Sequence, residues 1–577
     1  MDGKWRKNQG SVSPLNSKRY QYRRSVLTGV LFVCLVIFRL FIWTAPDVRG
    51  SSGNVTRTNY LGENIEWERC GHLENGRPLE CSTISVPMDQ FSQNRSENIT
   101  FTIPLIRLRG RHATQNLLLN PGGPGGSGIW FMHRLGEQLN TIIGEDFHLV
   151  AFDPRGVNGS RPLAICYPDE ETRHALGPVR DQRVLEDSAE VYAWSKNYVR
   201  ACAETMGEYG KHLNTPQTAA DMNSILDALG QKDMIYWGFS YGTILGQTYA
   251  GLFPERSHRV IIDGVNNVFD WYGSFLDYED LTDAEAVFDG FLHECIEARE
   301  DCPLAKFASS KEMLRERILH LAFTLREQPL SVYVNNKVYG LLDDKILLYD
   351  AIPTALRKPA TWFTLAENLA KWLDGNATEA FLAYGREKPW PVAGDADRIV
   401  ALNDGVSGPQ YWPQDRQTIL DWLIPFINRS LFAPTEHGIY YAKQQWIIPK
   451  THDYVPIYGV ETAHPLLILT TTYDPVCPMV SARSAQRAYK GSQIVEVEGY
   501  GHCSTAVPSI CLARHVRAYL KNGTVPISHT KCKVDGGYFP RLGENNPTAV
   551  AGKLFSDVEE QRIHDAQVTL AKNWQWY

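Results

Sequence analysis

Residues 238–242 read Gly-Phe-Ser-Tyr-Gly, directly after the apolar run Met234–Trp237 and directly before a helical pattern. A strand-to-helix turn exposes a serine hydroxyl at a helix N-terminus, where the dipole favours a developing anion. The two glycines let neighbouring chain approach closely. Ser240 is therefore the candidate nucleophile. An attacking serine needs a base, and the base needs an acid to orient it. Asp474 follows the strand-like run Leu466–Thr471, and His502 follows Gln493–Val497 in a small-residue loop. Serine, acid, histidine is the chain order this geometry requires. Glu498 is the other acid nearby, but it stands too close in sequence to His502 to take that place. Upstream, Asn120-Pro-Gly-Gly-Pro-Gly-Gly-Ser-Gly128 follows a short apolar run. So much glycine leaves backbone N–H groups free to point at an oxyanion. The N–H of Gly123, or of its neighbour Gly122, would act with that of Tyr241. A phosphate loop is the competing use of such glycines, but no G-K-[ST] follows, nor the acid a dinucleotide loop needs.

The elements that must hold these groups alternate. Strand-like runs at Phe101–Arg109, Asn116–Leu119, His148–Phe152, Met234–Trp237 and Arg259–Ile262 are interleaved with helical patterns at Thr218–Leu229 and Thr243–Leu252. That rhythm predicts a mostly parallel sheet flanked by helices, an α/β fold. From about 270 to 440 the period is mainly helical, at Asp283–Arg299, Lys311–Arg326 and Thr361–Leu373, with one hairpin over Ser331–Leu341. The sheet then resumes. This divides the chain into a first core part (60–270), a helical cap (271–440), a second core part (441–540) and a C-terminal tail (541–577) that carries an amphipathic stretch, Val558–Ala571.

Composition agrees with a folded hydrolytic domain outside the cytosol. Hydrophobic residues make up 43% and charged residues 21%, ordinary for a globular chain. The formal net charge of −7, with no basic block beyond the N-terminus, excludes nucleic acid as an expected partner. Lys4, Arg6, Lys7, Lys18, Arg19, Arg23 and Arg24 precede an apolar run, Val26 to Trp43, broken only by Arg39. Basic residues are retained on the cytoplasmic side. Residues 1–25 then form a cytoplasmic tail, 26–43 a transmembrane signal anchor and 44–59 a linker, giving a single-pass type II protein. Cleavage of the run as a signal peptide, with secretion, is the alternative. Either way the catalytic part faces the lumen or the exterior. Seven N-x-S/T sequons start at Asn54, Asn94, Asn98, Asn158, Asn376, Asn428 and Asn522, all after the apolar run. Of eleven cysteines, Cys34 lies in the apolar run and ten follow it. Proximity suggests the pairs Cys70–Cys81, Cys166–Cys202, Cys295–Cys302 and Cys511–Cys532, although sequence alone does not fix connectivity. With no C-x-x-C, an oxidising compartment accounts for them better than zinc.

Together, N-P-G-G-P-G-G-S-G, D-P-R-G-V-N-G-S, G-F-S-Y-G-T, Y-D-P-V-C-P and G-Y-G-H resemble the tripeptidyl aminopeptidase branch of the prolyl iminopeptidase-type α/β-hydrolase serine peptidases. The resemblance covers about Trp67 to Phe539. It implies an α/β-hydrolase fold with a helical cap, no cofactor, and release of short peptides or single residues from free N-termini. The chain departs from it at Cys477, where the family often has Thr, and a Cys477–Cys503 pair beside His502 is an open alternative. A second departure is Ala401–Gly405, where the family often carries a cysteine. The N-terminal anchor and the tail lie outside the resemblance.

A triad does not choose between amide and ester. An exopeptidase that reads an α-amine needs carboxylates near its cap. Asp263, Asp270, Glu279 and Asp280 follow the strand after the nucleophile helix and are the candidates. The alternatives are a carboxylesterase or lactonase acting on a hydrophobic small molecule, and, from another class, an inactive binding ectodomain. A binding module has no need of all three triad residues. Oligomeric state is not read from the sequence.

Overall fold

The computed structural model describes residues 62–92, 99–179, 183–386, 394–433, 438–539 and 554–575. The apolar run Val26–Trp43 and the sequons at Asn54, Asn94 and Asn98 lie outside them. Among the described residues no helix is long and apolar enough to cross a membrane.

The described residues form twelve strands: β1 (Glu68–His72), β2 (Pro78–Pro87), β3 (Thr100–Leu108), β4 (Gln115–Asn120), β5 (Phe147–Phe152), β6 (Met234–Phe239), β7 (Ser257–Asp263), β8 (Leu330–Asn335), β9 (Val338–Leu342), β10 (Leu467–Tyr473), β11 (Gln493–Tyr500) and β12 (Thr530–Lys533). Ten of them make one sheet in the order β1-β2-β3-β5-β4-β6-β7-β10-β11-β12. β1, β2 and β3 pair antiparallel, as does β3 with β5, and every pairing from β5 to β12 is parallel. β6 is central and carries Ser240 at its C-terminal end, so the nucleophile is held by the best-supported strand.

The central strands are apolar throughout because both faces of the sheet are covered. Leu117, Leu119, Leu149, Ala151, Ile235 and Trp237 point to one face, and Leu118, Val150, Phe152, Tyr236 and Ile262 to the other. Burying each such side chain contributes roughly 1.5–3 kcal/mol. The amphipathic helix read at the chain's end is Val558–Asn573, and it packs on the helix Gly128–Ile143 rather than trailing away. The Trp574 ring that follows it lies 5.4 Å from Phe131 and 4.8 Å from Phe239, centroid to centroid, one residue before the nucleophile.

Between β7 and β10 the chain leaves the sheet and builds helices, among them Ala284–Ala298, Lys311–Glu327, Ile352–Arg357, Trp362–Leu373, Ala396–Asp404 and Arg416–Ile427, with β8 and β9 as an antiparallel hairpin. The apolar faces of most of them form their own buried clusters, whereas Ala396, Ile399, Val400 and Leu402 of Ala396–Asp404 join the core cluster on one face of the sheet. The helix Val184–Met206, which precedes the serine motif, joins one of these clusters through Val184 and Val191 against Ile419, Leu423 and Tyr440. The cover over the site is therefore drawn from both sides of the nucleophile in sequence.

All four proximity pairs are disulfides: Cys70–Cys81, Cys166–Cys202, Cys295–Cys302 and Cys511–Cys532. That usage fits folding in an oxidising compartment. The open alternative of a Cys477–Cys503 bridge is corrected: both thiols are free and buried.

Candidate active site

Ser240 sits between β6 and the helix Tyr241–Leu252 with φ 55° and ψ −125°, a backbone conformation that L side chains rarely adopt. Three groups hold it there. Its N–H donates to Asp263 O at the end of β7 (3.0 Å), and its carbonyl accepts from Thr243 N (2.7 Å) and Thr243 Oγ1 (2.6 Å). The glycines at 238 and 242 are required by crowding. A Cβ on Gly238 would meet Gly242 O at 2.3 Å, and one on Gly242 would meet Asn120 O at 2.9 Å.

His502 Nε2 lies 2.9 Å from Ser240 Oγ, and His502 Nδ1 lies 2.9 Å from both carboxylate oxygens of Asp474. The carboxylate also accepts from the N–H groups of Val476 (2.9 Å), Cys477 (2.9 Å) and Cys503 (2.8 Å). Four donors on one carboxylate fix its position and its hydrogen-bond acceptor role, and through Nδ1 they fix the imidazole tautomer that leaves Nε2 able to take a proton. The His502 loop is pinned from two further sides. Its N–H donates to Arg357 O in the cap (2.9 Å), and Thr471 Oγ1 donates to Gly501 O (2.7 Å). All three residues are buried. Glu498 is exposed and 3.2 Å from Lys531, away from this arrangement.

The glycine loop closes on the serine. Gly122 and Gly123 have φ of +94° and +114°, which suits glycine alone, and a Cβ on Gly122 would stand 3.0 Å from Ser240 Cβ. Gly122 N–H already donates to Asn120 Oδ1 (3.0 Å), so of the two neighbours it is Gly123 whose N–H is left for an oxyanion. Tyr241 is the first residue of its helix, where an N–H has no acceptor within the helix. Asp153 ties the end of the glycine loop down: its carboxylate accepts from Ser127 Oγ (2.6 Å), Ile129 N (3.2 Å), Asn158 Nδ2 (2.8 Å) and Gly159 N (3.0 Å). This is the structural use of the D-P-R-G-V-N-G-S segment, and it corrects the sequon reading at Asn158. That amide nitrogen is half-buried and already bonded to Asp153 and Ser127, so it is not presented for glycosylation. Asn376, Asn428 and Asn522 are exposed.

Ser240 and His502 open into a cleft of about 380 Å³ between core and cap. Its acids are Asp277, Asp280 and Asp397, and its cations are Arg357, Arg398 and Lys443. Of the residues read as substrate-binding, Asp280 lines it, whereas Asp263, Asp270 and Glu279 do not. Asp263 is turned beneath the His502 loop, accepting from Ser504 N (2.7 Å) and Ser504 Oγ (2.6 Å); burial pushes its carboxyl up to about 6. Asp270 accepts from Ser274 Oγ (2.9 Å) and is likewise raised by burial, and Glu279 accepts from Ser481 Oγ (2.7 Å). Asp277 is held by Tyr440 OH (3.2 Å) with Lys443 Nζ at 3.8 Å. Asp397, on the cap helix Ala396–Asp404, is exposed and lines the cleft with Arg398. Asp397 and Arg357 were missed in the sequence because nothing local marks which turn of a cap helix faces the core, and Asp277 because it sits in an irregular connection with no pattern of its own.

Two groups of metal-ligand side chains lie within reach of one another among the described residues, and neither offers an open donor set. Cys511 and Cys532, beside His515, are bridged, and Asp474 and His502, beside Cys477, are engaged with each other and with Ser240.

The model of the family described as alpha/beta hydrolase fold matches residues 115–321, which include the glycine loop and Ser240. A second, described as TAP-like protein, matches residues 441–532, which include Asp474 and His502. The chain is a serine hydrolase of the α/β-hydrolase fold. In sequence the hydrolase is similar to the tripeptidyl aminopeptidase-like branch of serine peptidases. It is 27% identical over 498 residues to the serine protease Hip1 of Mycobacterium tuberculosis, covering 82% of this chain and 91% of that one. It is 26% identical over 521 residues to the tripeptidyl aminopeptidase of Streptomyces lividans, covering 84% and 89%. It is also 25% identical over 540 residues to the carboxylesterase B of M. tuberculosis, covering 89% and 99%.

Proposed function

We propose that the hydrolase is a serine exopeptidase that releases short peptides or single residues from free peptide N-termini through an acyl-enzyme. The observation that carries this reading is a cleft, shared with Ser240 and His502, that presents Asp280 and Asp397 from two separate parts of the segment between β7 and β10. Asp397 adjoins the glycine loop: its backbone N is 3.4 Å from where a Cβ on Gly125 would stand. A carboxylate that faces such a cleft pairs with a cation, and the α-ammonium of a peptide supplies one. The names of the Hip1 and tripeptidyl aminopeptidase relatives support the same class.

In this mechanism Ser240 Oγ attacks the scissile carbonyl while His502 Nε2 takes its proton. Asp474 holds the imidazole and stabilises the imidazolium that forms. The N–H groups of Gly123 and Tyr241 stabilise the tetrahedral oxyanion. His502 then protonates the departing amine, and water, deprotonated by His502, releases the acyl group from Ser240. No cofactor takes part in these steps.

Acetylating the N-terminus of a peptide substrate is expected to lower kcat/KM by roughly 10- to 150-fold, the worth of about 1.5–3 kcal/mol for a charged hydrogen bond under a cap. Ser240 should still be labelled by a small fluorophosphonate, and Ser240→Ala should abolish both labelling and turnover. Equal cleavage of free and acetylated peptides rejects the exopeptidase reading. The second reading is a carboxylesterase or lactonase. It is favoured by the carboxylesterase B relative and by Trp271, Leu281, Phe426 and Ile439 on the cleft wall, and turnover of esters alone would establish it.

A further inference from the structure

Arg357 ends the helix Ile352–Arg357 and is tied to the base, since its carbonyl accepts the His502 N–H at 2.9 Å. Its half-buried side chain lines the cleft with Ser240 and also a second hollow of about 280 Å³, walled by Tyr349, Pro353, Phe432 and Pro475. The two spaces share Leu281 and Arg357, so Arg357 stands in the wall common to both. Among the described residues no carboxylate lies within ion-pair distance of its guanidinium, whereas Lys443 in the same cleft has Asp277 at 3.8 Å. A half-buried guanidinium without a counter-charge is stabilised by an anion, and its planar fork fits a carboxylate with two parallel bonds.

Position says where on the substrate that carboxylate belongs. His502 must hand its proton to the leaving amine, so the leaving chain passes out beside His502. The residue fastened to the His502 backbone at that exit is Arg357. Asp397, by the glycine loop, faces the acyl side. The cleft thus carries an acid toward the acyl part and an unpaired cation toward the leaving part. We propose that Arg357 is a specificity-determining residue that binds a carboxylate on the residue leaving with the new amine. This deepens the peptidase reading and rests on it. The carboxylate has two sources: an Asp or Glu side chain on that residue, or the terminal carboxylate when a single residue leaves.

The test uses the full chain and matched peptides with free N-termini. One pair differs as Glu against Gln in the first leaving residue, both amidated; the other leaves a single alanine, as free acid or amide. A peptidyl-aminomethylcoumarin serves as a substrate whose leaving group has no carboxylate. In the wild type, one pair should favour the acid by about 10- to 100-fold in kcat/KM, and which pair does so identifies the source. Arg357→Gln should bring that ratio near one and Arg357→Lys should retain part of it, with fluorophosphonate stoichiometry reporting the folded fraction. Ratios near one in the wild type while the coumarin is cleaved overturn the proposal and leave the peptidase reading standing. So does a ratio that survives in Arg357→Gln. If esters turn over and neither peptides nor the coumarin do, the peptidase reading fails and takes the proposal with it.

Discussion

Ser240 is bound through its own N–H to the carbonyl of Asp263, and the Asp263 side chain in turn holds Ser504, two residues past His502. One residue therefore sets the distance between nucleophile and base without touching the cleft. Burial raises its carboxyl from 3.8 to about 6, against the two Ser504 bonds that favour the charged form. A carboxyl raised on folding adds stability that is fully present below its unfolded value and is lost as pH rises through the folded one. Stability from Asp263 is thus greatest near pH 4 and gone by about pH 7. Asp263→Asn can keep both Ser504 contacts, its amide oxygen accepting from the N–H and its amide nitrogen donating to Oγ, but it does not titrate. Its destabilisation, measured by denaturant unfolding, is expected to be larger at pH 4.5 than at pH 7 by on the order of 2 kcal/mol. A difference independent of pH would mean that Asp263 is not protonated in this range.

At the scale of elements, the cap helix Ala396–Asp404 presents Asp397 to the cleft at one end and is anchored at the other. Asp404 is fully buried and accepts from Thr215 N (2.9 Å), Thr215 Oγ1 (2.5 Å) and Trp271 Nε1 (2.8 Å). Thr215 Oγ1 accepts in turn from Tyr241 OH (2.5 Å), since its own hydrogen points to Asp404. The cap helix is therefore locked to Tyr241, the residue after Ser240, and to Trp271 in the cleft wall. The imidazole of His452, 3.8 Å away, is pushed down to about 3 by burial and stays neutral, so hydrogen bonds rather than an ion pair make the lock. Asp404→Ala leaves three buried donors without an acceptor and is expected to lower unfolding free energy by about 2–4 kcal/mol. It should also reduce kcat, with Asp404→Asn milder on both. Unchanged kcat in a destabilised Asp404→Ala would show that the lock serves folding alone.

For the whole molecule, the four disulfides among the described residues fit a domain that folds outside the cytosol. We propose that the apolar run Val26–Trp43 anchors it with its basic N-terminus in the cytosol. Endoglycosidase treatment is then expected to increase gel mobility. Removing the sequons at Asn376, Asn428 and Asn522 one at a time should each produce a step, whereas Asn158→Gln should not. A band that does not shift, on a domain open to protease in intact microsomes, would reverse the orientation.

Chemistry that depends on chain-local geometry was legible in the sequence. A serine between a strand and a helix, an acid and a histidine just past later strands, and a glycine run after an early one each follow from the pattern around them. A parallel sheet brings its C-terminal strand ends to one edge, so their meeting follows too. Disulfides between cysteines 7 to 36 positions apart were legible for the same reason of proximity. Which charged residues face the substrate was not. Asp263 ends β7 and Asp280 follows in the segment after it, yet packing turns the first beneath the His502 loop and opens the second to the cleft. Asp397 and Arg357 reach the site from separate helices of the cap, and Val184–Met206 joins that cap from before the nucleophile. Helix period states which face is apolar, but not which neighbour it packs on. The lining of the cleft is set by that packing, and only the tertiary structure decides it.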